Sequence, residues 1–201
     1  MKLLIFGSDG QLGLCLRDQL INSNYEIHFC TREELDITDS FSVHSKVLSI
    51  KPDIVINAAA YTEVDKSENE KEMAFAVNVN AVNTIAESCK IVDAVLIHIS
   101  TDYVFDGESN QPYKENSQVC PIGTYGLTKL LGEEAIKKSQ CRYMVIRTSW
   151  LFSQYGNNFL KTMLRLGSSK DILNVVNDEI GCPTYVPDLA KGILSTFDTI
   201  L

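Results

Sequence analysis

A doubly wound α/β domain, one parallel sheet with helices on both faces, is what this 201-residue sequence predicts. Two observations carry the prediction. Short apolar runs rich in β-forming residues alternate along the chain with stretches of helical periodicity. A glycine triplet, Gly7, Gly10 and Gly13, sits between the first such run and the first such stretch. Strand–helix alternation implies a parallel sheet, because a crossover must carry the chain back before each new strand. Ligands on such sheets bind outside the carboxyl ends of the strands. Candidate functional residues are therefore sought just after each strand.

Residues 2–6 are the first strand. Leu12, Leu16 and Leu20 then recur at four-residue spacing, which suits a helix with one buried stripe. Residues 25–30 read as the second strand. Asp39 or Ser40 caps a helix running to about residue 50. Pro52-Asp53 opens a third strand at 54–57, and a long helix follows over 70–90. Residues 94–99 are the fourth strand. The stretch 102–123, rich in Gly, Pro, Asn and Ser, reads as loop. A helix at 125–138 and a strand at 142–147 come next, then a helix at 157–166, a strand at 172–176 and a last helix at 187–197. The chain has no internal repeat, low-complexity tract or linker.

The composition, 45% hydrophobic and 22% charged, is that of an ordinary globular protein. A formal net charge of −8 argues against a general nucleic-acid binder. It leaves room for an anionic small ligand, which a helix N-terminus can hold against the global charge. No apolar run is long enough for a membrane span, and Leu3-Leu4-Ile5-Phe6 is too short for a signal-peptide core. A cytoplasmic protein with no membrane partner is the expectation. The six cysteines (15, 30, 89, 120, 141 and 182) show no metal-ligand spacing. They read as reduced, mostly buried thiols, and no metal site is expected. His28, His44 and His98 are scattered and read as structural.

Gly7-Ser8-Asp9-Gly10-Gln11-Leu12-Gly13 carries the first functional signal. In a loop joining a strand to a helix, the first glycine permits a tight turn. The second lets the backbone approach a pyrophosphate, and the third lets helix and strand pack closely. The spacing differs from the common Gly-x-Gly-x-x-Gly form. The second strand ends in Cys30-Thr31-Arg32-Glu33-Glu34. An acidic residue there would take the ribose hydroxyl of NAD, whereas an arginine would take the 2′-phosphate of NADP. Arg32 comes first, which favours NADP(H) and keeps NAD(H) as the alternative. Asp36 and Ile37 are placed to line the adenine.

Tyr125-Gly126-Leu127-Thr128-Lys129 puts a phenol and an amine four residues apart on one helix face. A lysine cation beside a phenol favours the phenolate and lowers its pKa, which suits Tyr125 as proton donor to a carbonyl being reduced. Tyr-x-x-x-Lys alone is a weak signal. It gains weight after a glycine-loop start and a strand ending in Ser100-Thr101. The Thr101 hydroxyl is placed to bond the same oxygen.

Together with Asn57-Ala58-Ala59-Ala60-Tyr61-Thr62 and Ser100-Thr101-Asp102-Tyr103-Val104-Phe105-Asp106-Gly107, these motifs resemble the extended short-chain dehydrogenase/reductases. Within that superfamily the chain is most similar to the dTDP-4-dehydrorhamnose reductase family, from residue 1 to about residue 190. Leu35-Asp36-Ile37-Thr38, Val64-Asp65-Lys66, Arg147-Thr148-Ser149-Trp150 and Gly181-Cys182-Pro183-Thr184-Tyr185 support it. The resemblance implies a Rossmann domain. It also implies reduction of dTDP-4-dehydro-6-deoxy-L-mannose to dTDP-L-rhamnose with NADPH or NADH. It implies a catalytic set of Thr101, Tyr125 and Lys129. Gly7, Gly10, Gln11, Leu12, Gly13, Arg32, Asp36, Ile37, Ala58, Ala60, Tyr61 and Thr62, with Tyr125 and Lys129, would hold the dinucleotide. Thr101, Asp102, Tyr103 and Trp150 would touch the sugar nucleotide, although Tyr61, Tyr103 and Trp150 also suit core packing.

The family normally continues beyond the equivalent of Leu201 to complete a C-terminal substrate subdomain. The expectation is thus an NAD(P)-binding Rossmann domain over 1–201, with 150–201 beginning a small substrate-binding region that is incomplete. A homodimer is the expected assembly. Three other readings compete. Related dehydratases carry Thr-Asp-Glu where this chain has Thr101-Asp102-Tyr103, so water elimination would lack its base. Related epimerases share Tyr-x-x-x-Lys. A non-catalytic NADP-binding subunit, like the regulatory subunit of methionine adenosyltransferase, is the reading from a different class.

Overall fold

The computed structural model describes residues 1–201. Its first strand, β1 (Lys2–Phe6), is buried from Leu3 to Phe6 on both faces, as the centre of a parallel sheet requires. β2 (Glu26–Cys30) lies along one side of it and β3 (Ile54–Asn57) along the other, followed outward by β4 (Val95–Thr101) and β5 (Arg142–Thr148). Every pairing is parallel, and the order is β2-β1-β3-β4-β5. The chain runs outward from β1 in both directions, so the crossovers part between β1 and β3. A crevice opens at that switch point, beyond the carboxyl ends.

The period-2 alternation of each strand divides the core in two. Leu4, Phe6, Val55 and Leu96 face α2 (Ser40–Ile50), α5 (Ala81–Val92) and α6 (Thr124–Ser139). Leu3, Ile5, Ile54, Ile56 and Ile97 face α1 (Gln11–Leu20), α8 (Val186–Ser195) and α9 (Phe197–Ile200). The Leu12, Leu16 and Leu20 stripe is buried as its spacing requires. Asp39 caps α2 by accepting from the Ser42 N–H at 3.1 Å.

Two expectations are corrected. The long helix over 70–90 is three pieces: α4 (Lys71–Phe75), one wide turn over Ala76–Asn80, and α5. The widening puts Asn78 indoors, where it bonds the backbone of Tyr61 through both side-chain atoms and the Thr128 hydroxyl. A helical insertion of this kind is common where a side chain must be redirected. The strand expected at 172–176 does not form. Ile172, Val175 and Val176 are exposed and have no strand edge beside them. Instead a two-stranded parallel ribbon joins β6 (Leu151–Phe152) to β7 (Thr184–Tyr185), too short to show any periodicity. The helix expected at 157–166 is α7 (Phe159–Gly167), capped by Asn158, and it buries no residue. A single turn, α3 (Val64–Ser67), was not anticipated.

Candidate functional site

A cleft of about 680 Å³ opens at the switch point. The loop after β1 supplies Gly7, Gly10, Gln11 and Leu12, and the segment after β2 supplies Arg32, Asp36 and Ile37. The segment after β3 adds Ala58, Ala60, Tyr61 and Thr62. Ser100, Tyr125 and Lys129 close the far end.

The glycines divide their labour as the spacing suggests. Gly7 has φ of +71°, and a Cβ there would lie 2.6 Å from the Ala59 backbone nitrogen. Gly13 packs under the loop, where a Cβ would collide with the Gly7 carbonyl and the Ser8 backbone. Gly13 therefore shapes the cleft without lining it. Gly10 is different: a Cβ would meet only the Gly7 oxygen, at 3.3 Å, and its outer side faces the cleft. As the N-cap of α1 it offers no side chain to the first-turn N–H groups. A cradle of bare backbone at a helix start suits the pyrophosphate of a dinucleotide. Replacing Gly10 with valine should preserve the thermal unfolding midpoint to within a few degrees yet abolish dinucleotide binding in a fluorescence titration. A variant that still binds would remove the loop from the site.

Gln11 is held from a distance in the sequence. Its Oε1 accepts from Ser153 Oγ at 3.1 Å and from Asn158 Nδ2 at 3.0 Å, which ties the 151–158 segment to the glycine loop. On the other flank, Glu68 accepts from the Thr124 N–H at 2.6 Å and from its hydroxyl at 2.8 Å. This pair pins the first turn of α6, the turn that carries Tyr125.

Tyr125 lies beside Thr101. The Thr101 hydroxyl donates to Asp102 Oδ1 at 3.1 Å and accepts from the Tyr103 N–H at 3.2 Å. It also acts on the phenol, lowering a pKa that burial pushes up to about 12. The Tyr103 ring stands edge-on to the Tyr125 ring, with centroids 5.5 Å apart. Asp102 is half-buried, and desolvation holds its carboxyl above the usual range.

Lys129 corrects one expectation. Its amine is fully buried and turns inward, donating to the Ile99 carbonyl at 2.6 Å and meeting His98 Nε2 at 3.3 Å. Burial lowers its pKa to about 8, against a raising pull from Glu133. In this arrangement it does not depress the Tyr125 pKa, and the phenol stays protonated. The four-residue spacing did place both groups at one end of the cleft. It could not show that β4 offers the amine a closer carbonyl.

Glu133 was not anticipated. Though only 1% exposed, it accepts from Arg147 through both carboxylate oxygens, at 2.9 and 2.7 Å, and from Ser100 Oγ at 2.6 Å. These bonds together hold its carboxyl below the usual range, although burial acts the other way. Arg147 also reaches the Glu115 carbonyl and lies 5.1 Å over the Phe105 ring, so it braces the 102–123 loop. His98, read as merely structural, touches Lys129. A polar residue in the all-apolar run of β4 was the available signal. Thr101, Asp102, Tyr103 and Trp150 do not line the main cleft. The first three adjoin Tyr125, and the half-exposed Trp150 has its indole packed on Gly181, with φ of +48°.

A glycine cradle at one end of a switch-point cleft, with a phenol, a hydroxyl and an amine at the other, defines a class: the dinucleotide-dependent oxidoreductases of the extended short-chain type. The model of one protein family, the RmlD substrate binding domain, matches residues 1–201, and the chain belongs to that family. It is 44% identical over 201 residues to the dTDP-4-dehydrorhamnose reductase of Aggregatibacter actinomycetemcomitans, covering 100% of this chain and 68% of the relative. Solved dTDP-4-dehydrorhamnose reductases from Clostridium acetobutylicum and Bacillus anthracis superpose with TM-scores of 0.97 and 0.96. Each is 42% identical, and the match covers 100% of this chain and 71% of theirs. The Bacillus anthracis structure is a complex with NADP. The chain thus spans about two thirds of the length of the relatives it matches.

Proposed function

We propose that the protein reduces the 4-keto group of dTDP-4-dehydro-6-deoxy-L-mannose to give dTDP-L-rhamnose, with NADPH as the favoured reductant and NADH as the alternative. The observation that carries this reading is the placement of Tyr125 and Lys129, with Thr101 beside Tyr125, at the end of a cleft whose other end is the bare-backbone cradle of Gly7 and Gly10. Family membership and the relatives' names support the sugar-nucleotide substrate.

When bound, the reduced nicotinamide supplies the hydride to the carbonyl carbon. The chain's own part is acid catalysis and positioning. Tyr125 carries a proton that burial keeps in place at neutral pH, and gives it to the developing alkoxide. Thr101 orients the phenol and adds a bond to the same oxygen. Asp102, Tyr103 and Trp150 form the sugar side, and residues 150–201 begin the substrate-binding region. Arg32, exposed at the edge of the cleft, takes a 2′-phosphate.

Two assays test this. Mixing the protein with NADPH and the 4-keto sugar should consume NADPH and yield the rhamnosyl nucleotide; cofactor binding with no turnover would favour a non-catalytic subunit. Arg32→Ala should weaken NADPH binding by roughly tenfold or more, the worth of one charge-assisted contact, and leave NADH binding nearly unchanged. Equal losses for both cofactors would take Arg32 out of the site.

A further inference from the structure

His98 has no part in the proposed reaction, yet its ring is completely buried between two polar side chains. Its Nδ1 is 3.2 Å from Asn57 Nδ2, and its Nε2 is 3.3 Å from Lys129 Nζ. The direction of these bonds follows from one end. The Ala59 N–H can only donate, and it points at Asn57 Oδ1 from 3.2 Å. The amide nitrogen of Asn57 therefore faces His98, and it too can only donate. Nδ1 must accept, so the single proton of a neutral imidazole sits on Nε2, facing Lys129. Burial, the largest cause, keeps the imidazole neutral and holds its pKa well below the usual histidine value. A proton aimed at Nζ needs a lone pair there. Lysine has one only as the free amine, which can still donate to the Ile99 carbonyl at 2.6 Å.

We propose that His98 is a positioning residue for Lys129: held in one tautomer by Asn57, it donates to the Lys129 amine and so favours the uncharged amine in the ligand-free cleft. A charged Lys129 would put two donors face to face. To accept from it, the ring proton must move to Nδ1 and the Asn57 amide must turn over, which breaks the bond to Ala59. Ala58, Ala59 and Ala60 line the cleft, so the charge on Lys129 is tied to backbone at the cofactor site.

The other titratable groups near Lys129 leave this assignment standing. Glu133, one turn further along α6, favours the charged amine, but its carboxylate is engaged by Arg147 of β5 and Ser100 of β4. Tyr125, one turn earlier, is a neutral phenol, and Asp102 beyond β4 bonds Thr101. Asp9, Arg32, Asp36, Glu63, Lys66 and Glu70 stand across the open cleft. The role of Lys129 in reduction belongs to the proposed function. The bond direction does not depend on it, so the test is read on the free protein, without substrate or cofactor.

The test is nitrogen-detected NMR of the ¹⁵N-labelled free protein, with His98 assigned by the signal lost in His98→Gln. At about pH 9, where an ordinary lysine is still charged, Nε2 should carry the proton and Nδ1 should be bare. Lys129 should titrate near its lowered value of about 8, and the His98 tautomer should change with the same midpoint. His98→Phe, which removes the donor, should raise the Lys129 midpoint by about one pH unit, a tenfold change in proton affinity. His98→Gln, whose amide can donate along the same line, should restore most of it. A proton on Nδ1 at about pH 9 would overturn the proposal. So would a Lys129 midpoint unmoved by His98→Phe. If the phenylalanine variant does not fold, the tautomer of the unmodified protein decides alone.

Discussion

Tyr125→Phe should lower kcat by roughly 10² to 10⁴, the usual contribution of a positioned general acid, with the dissociation constant for NADPH nearly unchanged. The ring remains, so its edge-on contact with Tyr103 and the packing of α6 survive. Only the hydroxyl is removed, and the developing alkoxide must then find another donor. Thr101 does not replace it, because an alcohol of ordinary acidity stabilises the alkoxide through a hydrogen bond without giving up its proton. Thr101→Ala should cost less, since it removes an orienting bond and leaves the acid. Lys129→Met should harm kcat and cofactor affinity together, because it removes an amine buried against both β4 and the cleft. Stopped-flow measurement of NADPH oxidation beside an equilibrium titration separates these outcomes. A Tyr125→Phe protein with near-normal kcat would defeat the proposed acid.

Glu133→Ala should be the most damaging single change to stability. It strands Arg147 and the Ser100 hydroxyl, whose partner is buried to 1% exposure. Breaking a buried pair from one side typically costs 3–5 kcal/mol. Arg147 reaches water at one edge, so about 3 kcal/mol is expected, a drop of roughly 6–12 °C in Tm for a chain of this size. Glu133→Gln keeps an acceptor for Ser100 and should cost less. Calorimetric unfolding of the two variants gives the comparison, and a loss below about 1 kcal/mol for Glu133→Ala would mean that the pair contributes little. Activity should fall as well, because Arg147 also braces the 102–123 loop through the Glu115 carbonyl.

The sequence by itself determined what is local and repetitive. Burial on both faces makes parallel strands uniformly apolar, so β1, β3 and β4 stand out in the text of the chain. The glycine triplet reports a backbone requirement that no other residue meets, and Tyr-x-x-x-Lys follows from helix geometry alone. Those patterns were sufficient for the fold class, the cleft and half of its lining. They were insufficient at 172–176, where β-branched residues form no strand because pairing needs an open edge in the right place. They also could not show the widened turn that puts Asn78 indoors, or the capture of Gln11 by Ser153 and Asn158. Only the tertiary structure decided the environments of the ionisable side chains. Glu133 meets Arg147 across fourteen residues, and Lys129 meets His98 across thirty-one, because α6 packs over β4, which pairs with β5. Whether a buried amine faces a phenol, a carbonyl or an imidazole is settled by which polar atom lies nearest once water is excluded, and sequence spacing does not encode that distance.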